Sequence, residues 1–126
     1  MSLFLVDTCG WIEWLTDGGL ASRFEPYLSD QASLIVPTLI QFELYKWVCR
    51  ERDEATALNV IGVTETAASV MPLDTPLALQ AAGLAFEHKL AMADAIILAT
   101  AQRTSAQLVT SDKHFSALPG VIYFEK

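Results

Sequence analysis

The spacing of apolar positions changes period several times along the chain, and each change marks an element. Leu3–Val6 is a run of four apolar residues, too short for a helix, and predicts a strand buried on both faces. Trp11, Ile12, Trp14 and Leu15 then fall at helical spacing until the Gly18-Gly19 pair ends the pattern. Residues 20–28 predict a second short helix and residues 34–36 a second strand. Pro37 is well suited to be the first residue of a long helix that carries Phe42, Glu43, Tyr45 and Trp47. Residues 53–69 are expected to be helical with a weak point at Gly62, residues 70–73 form a third short strand, and residues 75–90 an Ala- and Leu-rich helix. His88 and Lys89 suit the C-terminal end of that helix. Residues 93–103 predict a helix apolar on nearly every side, residues 107–110 a fourth strand and residues 121–124 a fifth. Strands alternating with helices imply an α/β fold whose mainly parallel sheet is covered on both faces by right-handed crossovers.

Composition changes this picture in three ways. With 126 residues and no stretch rich in Pro, Gly or Ser, the chain is expected to form a single domain over residues 1–126. The hydrophobic fraction of 52% and mean hydropathy of +0.35 are high for so small a soluble chain, which predicts that part of its apolar surface is covered by another chain, such as a second copy in a homodimer. Cys9 and Cys49 stand far apart with no CxxC pair, so neither a disulfide framework nor a zinc finger is supported and a reducing, cytoplasmic setting fits. The opening MSLFLVD has no basic region and too short an apolar run for a signal peptide or membrane span.

A formal charge of -7 argues against a general binder of phosphate backbones. That argument weakens if several carboxylates hold divalent cations. In an open parallel sheet, ligands bind outside the carboxyl ends of the strands, so acids there carry most interest. Asp7 ends the first expected strand, Asp112 follows the fourth, Asp94 lies in the first turn of an apolar helix, and Glu43 is nearly two turns into the helix after the second strand. Capping explains Asp7, Asp94 and Asp112 individually. Glu43 stands among Ile40, Phe42, Leu44, Tyr45 and Trp47, where a lone buried charge is costly without a compensating cation.

The runs Leu5-Val6-Asp7-Thr8, Pro37 to Glu43, Ala93-Asp94-Ala95-Ile96-Ile97-Leu98-Ala99-Thr100-Ala101 and Leu108-Val109-Thr110-Ser111-Asp112-Lys113-His114-Phe115 together resemble the PIN domain, and more narrowly the VapC-type toxins of bacterial toxin-antitoxin pairs. The resemblance covers nearly the whole chain. It implies a three-layer α/β/α sandwich with a five-stranded sheet, and an acidic pocket for Mg²⁺ or Mn²⁺ formed by Asp7, Glu43, Asp94 and Asp112, supported by the hydroxyl of Thr110. It also implies a metal-dependent endoribonuclease partnered by a cognate antitoxin, leaving 5′-phosphate and 3′-hydroxyl ends. Many family members carry a further acid two residues after the position of Asp112, where this chain has His114.

Hard oxygen ligands favour Mg²⁺ or Mn²⁺, and such ions permit phosphodiester hydrolysis without a catalytic His or Ser. Asp7 and Asp94 are expected as direct ligands, with Glu43 and Asp112 acting partly through water. His114 is a candidate ligand, general acid or phosphate contact, although most loop histidines are none of these. A zinc site from Cys9, Cys49, His88 and His114 lacks ligand spacing. Lys46, Arg50 and Arg52 are candidates to steer RNA, and equally a solvated helix face. The pairs Trp11 with Trp14 and Phe42 with Tyr45, together with Trp47, suit either the core or an exposed groove for a partner helix. Three other functions compete: a phosphatase of the haloacid dehalogenase type, which wants a second acid two residues after its nucleophilic Asp where this chain has Cys9, a non-catalytic PIN-like module that binds RNA or protein, and a phosphoacceptor signalling domain. The last wants paired acids after the first strand, and Asp7 has no acidic neighbour.

Overall fold

A computed structural model describes residues 2–126. Five strands, β1 (Leu3–Val6), β2 (Leu34–Pro37), β3 (Ser69–Met71), β4 (Ala106–Thr110) and β5 (Val121–Tyr123), form one sheet in the order β3-β2-β1-β4-β5. Every pairing is parallel. Six helices connect them: α1 (Thr8–Leu15), α2 (Ala21–Leu28), α3 (Thr38–Glu51), α4 (Glu54–Ala67), α5 (Thr75–His88) and α6 (Met92–Thr104). The crossovers through α1–α2 and α3–α4 step along the sheet in one direction and that through α5–α6 steps back. Right-handed connections therefore put the last pair on the opposite face, giving an α/β/α sandwich.

Leu5, Val6, Val36, Leu108 and Val109 are fully or almost fully buried, as strands of a doubly covered sheet require. Every residue of α6 from Ala95 to Ala101 is buried, so the helix that reads as apolar all round runs through the core. Trp11 is also core, while Trp14 packs edge-on against it with ring centroids 6.0 Å apart. A Cβ at Gly10 would meet Val6 Cγ1 at 2.5 Å and the Phe24 ring at 2.6 Å. Only glycine at this position lets α1 sit so close to β1 and α2.

Expected and observed boundaries differ by a residue or two. Pro37 is the last residue of β2, not the first of α3, because its φ of -66° suits an extended ψ of 146° as well as a helix. Helix α4 runs unbroken through Gly62, and the third strand begins one residue earlier than expected. Among the described residues, no helix is long and apolar enough to cross a membrane.

Candidate active site

Strand order decides where the acids meet. β1 and β4 are neighbours at the centre of the sheet, where the connections reverse direction, and such a switch point opens a crevice at the carboxyl ends. The register pairs Val6 with Val109, and the Asp7 amide donates to the Val109 carbonyl at 2.9 Å. Asp7 therefore leaves β1 beside Thr110, although 103 residues separate them.

Thr110 holds two acids at once. Its hydroxyl donates to Asp7 Oδ2 at 2.8 Å and accepts from the Asp112 amide at 2.9 Å. Asp7 also caps α1, its Oδ1 accepting from the Thr8 amide at 2.8 Å. Desolvation raises the Asp7 pKa to about 6, opposed by the bonds from Thr110 and Thr8 and assisted by the charges of Glu43 and Asp94. Burial is the main cost, since only 5% of Asp7 is exposed.

Glu43 projects from α3 to accept from the Thr8 hydroxyl at 2.5 Å. It is half-buried, while its neighbour Phe42 is 60% exposed, so the apolar surroundings expected from sequence enclose it on one side only. Thr8 thus links Asp7 to Glu43. Its position directly after Asp7 at a helix start was a signal for this role, but hydroxyls are too common there to be singled out from sequence.

Asp94 does not behave as a cap. The N-cap position of α6 is Ala91, with no side-chain hydrogen bond, and among the described residues the one ion-pair partner of the Asp94 carboxylate is His114. The Asp94 pKa is raised by burial first and by the Asp112 charge next, with His114 opposing. Asp112 does cap the short 3₁₀ turn Lys113–Phe115, accepting from the His114 amide at 2.9 Å. The ring of His114 turns back over both acids, its Nδ1 lying 3.1 Å from Asp112 Oδ1 and 3.5 Å from Asp94 Oδ2.

The structure thus draws Asp94 and Asp112 together with His114, their donor atoms all within 4.8 Å, while Asp7 and Glu43 are tied through Thr8 on the same rim. Two carboxylates and an imidazole are a donor set that fits a divalent ion. Cys9 also faces the site, with Sγ 3.3 Å from Ser111 Oγ and 3.7 Å from Asp7 Oδ2. Its pKa is pushed up by burial and by Asp7, so it stays a thiol. Cys49 and His88 do not join it, and the four-residue zinc arrangement is not formed.

Three clefts touch the acids. One of about 470 Å³, within the size range of ligand sites, runs from Asp112 past Lys113 and Tyr123 to Lys126. A second joins Glu43 to Phe42, Lys46, Trp47 and Arg50, and a third joins Asp94 to His88 and Lys89.

Comparison with known proteins agrees with this architecture. The PIN domain family model matches residues 4–121. A toxin-antitoxin complex from Klebsiella pneumoniae superposes with a TM-score of 0.80 at 24% identity, covering 98% of this chain and 99% of that one. VapBC2 from Rickettsia felis, bound to a DNA fragment from its promoter, gives a TM-score of 0.76 at 14% identity, covering 98% of each chain. The Mycobacterium tuberculosis toxin VapC20, which cleaves the sarcin-ricin loop, gives 0.75 at 18% identity over 94% of this chain and 97% of that one. No curated protein sequence matches the chain.

Proposed function

The chain belongs to the PIN domain family, and from that membership we propose that it is a metal-dependent endoribonuclease, the toxin of a toxin-antitoxin pair. The observation that carries the reading is the convergence of Asp7, Glu43, Asp94 and Asp112 at the switch point of the sheet, where burial and mutual charge leave Asp7 and Asp94 with raised pKa values. Such a cluster opposes folding unless a cation compensates it.

Asp7, Glu43, Asp94 and Asp112 would hold Mg²⁺ or Mn²⁺, Asp94 and Asp112 being the two whose carboxylates lie within 4.8 Å of each other. A bound ion of this kind would stabilise charge on phosphoryl oxygens and lower the pKa of a water bound to it. Thr110 fixes the geometry by holding Asp7 and the Asp112 loop on one hydroxyl. Glu43, with one oxygen engaged by Thr8, has the other free to orient an attacking water.

RNA as substrate is favoured by the placement of positive charge. Five of the eight Lys and Arg residues, Lys46, Arg50, Lys89, Lys113 and Lys126, line clefts that each contain one of the acids. An acidic chain that concentrates its cations there suits a phosphate strand crossing the site. Phe42, Trp47 and Tyr123 add faces on which unpaired bases stack. The toxin-antitoxin complexes among its structural likenesses support a cognate antitoxin, and Phe42 and Trp47 suit its helix. A homodimer covers the exposed Leu79, Phe86 and Met92, and the free cysteines fit a cytoplasmic protein. Incubating partner-free protein with mixed RNA in Mg²⁺, Mn²⁺ or excess EDTA tests the reading. Cleavage is expected with either ion and not with EDTA; undiminished cleavage in EDTA refutes it.

A further inference from the structure

We infer that His114 selects the metal: its Nδ1 joins the carboxylates of Asp94 and Asp112 as a third donor and biases the site towards Mn²⁺ over Mg²⁺. The inference rests on the reading of the acid cluster as a divalent-cation site. It concerns the imidazole that stands beside two of the rim carboxylates.

Although the His114 side chain is 71% exposed, its backbone is fixed. Asp112 caps the turn on one side and the fully buried Phe115 anchors it on the other. Two donors on adjacent corners of an octahedral ion, each about 2.1 Å away, stand roughly 3.0 Å apart. Nδ1 meets Asp112 Oδ1 at 3.1 Å and Asp94 Oδ2 at 3.5 Å, so it needs little movement to share an ion with both. The other histidine gives an internal contrast. His88 lies 3.2 Å from Glu87, its chain neighbour, and meets no second carboxylate, which is an ordinary surface pair.

The chemistry sets the direction of selectivity. Mg²⁺ is held by charge and by oxygen donors, and gains little from a neutral imidazole. Mn²⁺ accepts nitrogen more readily and lies higher in affinity for a mixed N/O set, as do the later first-row ions. A second explanation of the distances is that a protonated His114 simply bridges two carboxylates. In that case the ring must leave or stay outside the coordination shell when an ion binds.

Mn²⁺ loaded into the full chain separates these possibilities by electron spin-echo spectroscopy, which detects coupling of the ion to a ligating ¹⁴N. The wild type is expected to show that coupling, and His114→Asp and His114→Asn to lose it while keeping the circular dichroism of the folded chain. In competition, the Mg²⁺ concentration that displaces half of the Mn²⁺ is expected to fall about tenfold in His114→Asp. Bound Mn²⁺ without nitrogen coupling, or equal displacement in wild type and His114→Asp, would overturn the inference and leave the nuclease reading standing. Coupling in a protein that cleaves no RNA would overturn the nuclease reading alone. Failure of the wild type to bind Mn²⁺ would overturn both.

Discussion

The rim at the ends of β1 and β4 and the outer face of α5 are opposites in chemistry and alike in what they lack. At the rim, four carboxylates crowd a crevice where desolvation has already raised the pKa of Asp7 to about 6. On α5, Leu79 and Phe86 stand 69% and 90% exposed, and Met92 at the start of α6 is 74% exposed. The first region concentrates charge that folding makes unfavourable; the second leaves apolar surface in water. Neither is explained by the stability of the isolated chain, and each calls for something from outside, a cation in one case and a protein surface in the other.

The largest expected effect comes from breaking the rim. Asp94→Asn removes one charge while nearly keeping the shape, and is expected to lower RNA cleavage at least about a hundredfold where ion position is critical. The same variant should melt higher than wild type without metal, and gain less from added Mg²⁺, because an ion that binds only the folded form stabilises it by mass action. Cleavage and melting of both proteins, with and without metal, check this. Retained activity would mean that Asp94 has no part in holding the ion.

A smaller effect lies in the pH dependence of the metal-free protein. The folded pKa of Asp7, about 6, lies above its ordinary value of 3.8, so the folded state binds more protons between those values. The stability that protonated Asp7 contributes is fully present below the lower value and is lost as pH rises through the higher one. A shift of this size corresponds to about 3 kcal/mol. Asp53 and Asp74, lowered by capping bonds from Thr56 and by Arg103 respectively, work in the opposite direction as exposed groups. Denaturant titrations in EDTA on either side of this range should therefore show wild type losing stability relative to Asp7→Asn as pH rises. Parallel curves would contradict the assigned burial cost.

These two regions were unequally legible in the sequence. Asp7, Glu43, Asp94 and Asp112 could be picked out because each stands at a strand end or on a helix with an apolar face, and their spacing matches the family. What stayed hidden was the strand order, since nothing local says that β1 neighbours β4, and with it the Asp7 to Thr110 bond and the Thr8 to Glu43 bond. The turn of the His114 ring over Asp94 depends on that same pairing of distant segments. The face of α5 was hidden for a different reason. Its Ala- and Leu-rich pattern is apolar on several sides, so period alone cannot say that Leu77, Ala81 and Leu84 go inside while Leu79 and Phe86 stay out.

The apolar face yields the smallest expected effect on the folded chain. Phe86→Lys should leave melting of the monomer nearly unchanged, as a surface substitution does, while weakening the dimer by about tenfold or more. Light scattering over a concentration series checks it. A wild type that is monomeric throughout would contradict the assignment of this face to a second copy.

The proposed hydrolysis of RNA at the acid rim uses an activated water and not the ribose hydroxyl. Sequencing of the fragment ends after cleavage by wild type in Mn²⁺ distinguishes the two. The expected fragments carry 5′-phosphate and 3′-hydroxyl ends, because water attacks the phosphorus and the 3′ oxygen leaves. Fragments ending in a 2′,3′-cyclic phosphate, formed by the 2′-hydroxyl without water, would contradict it.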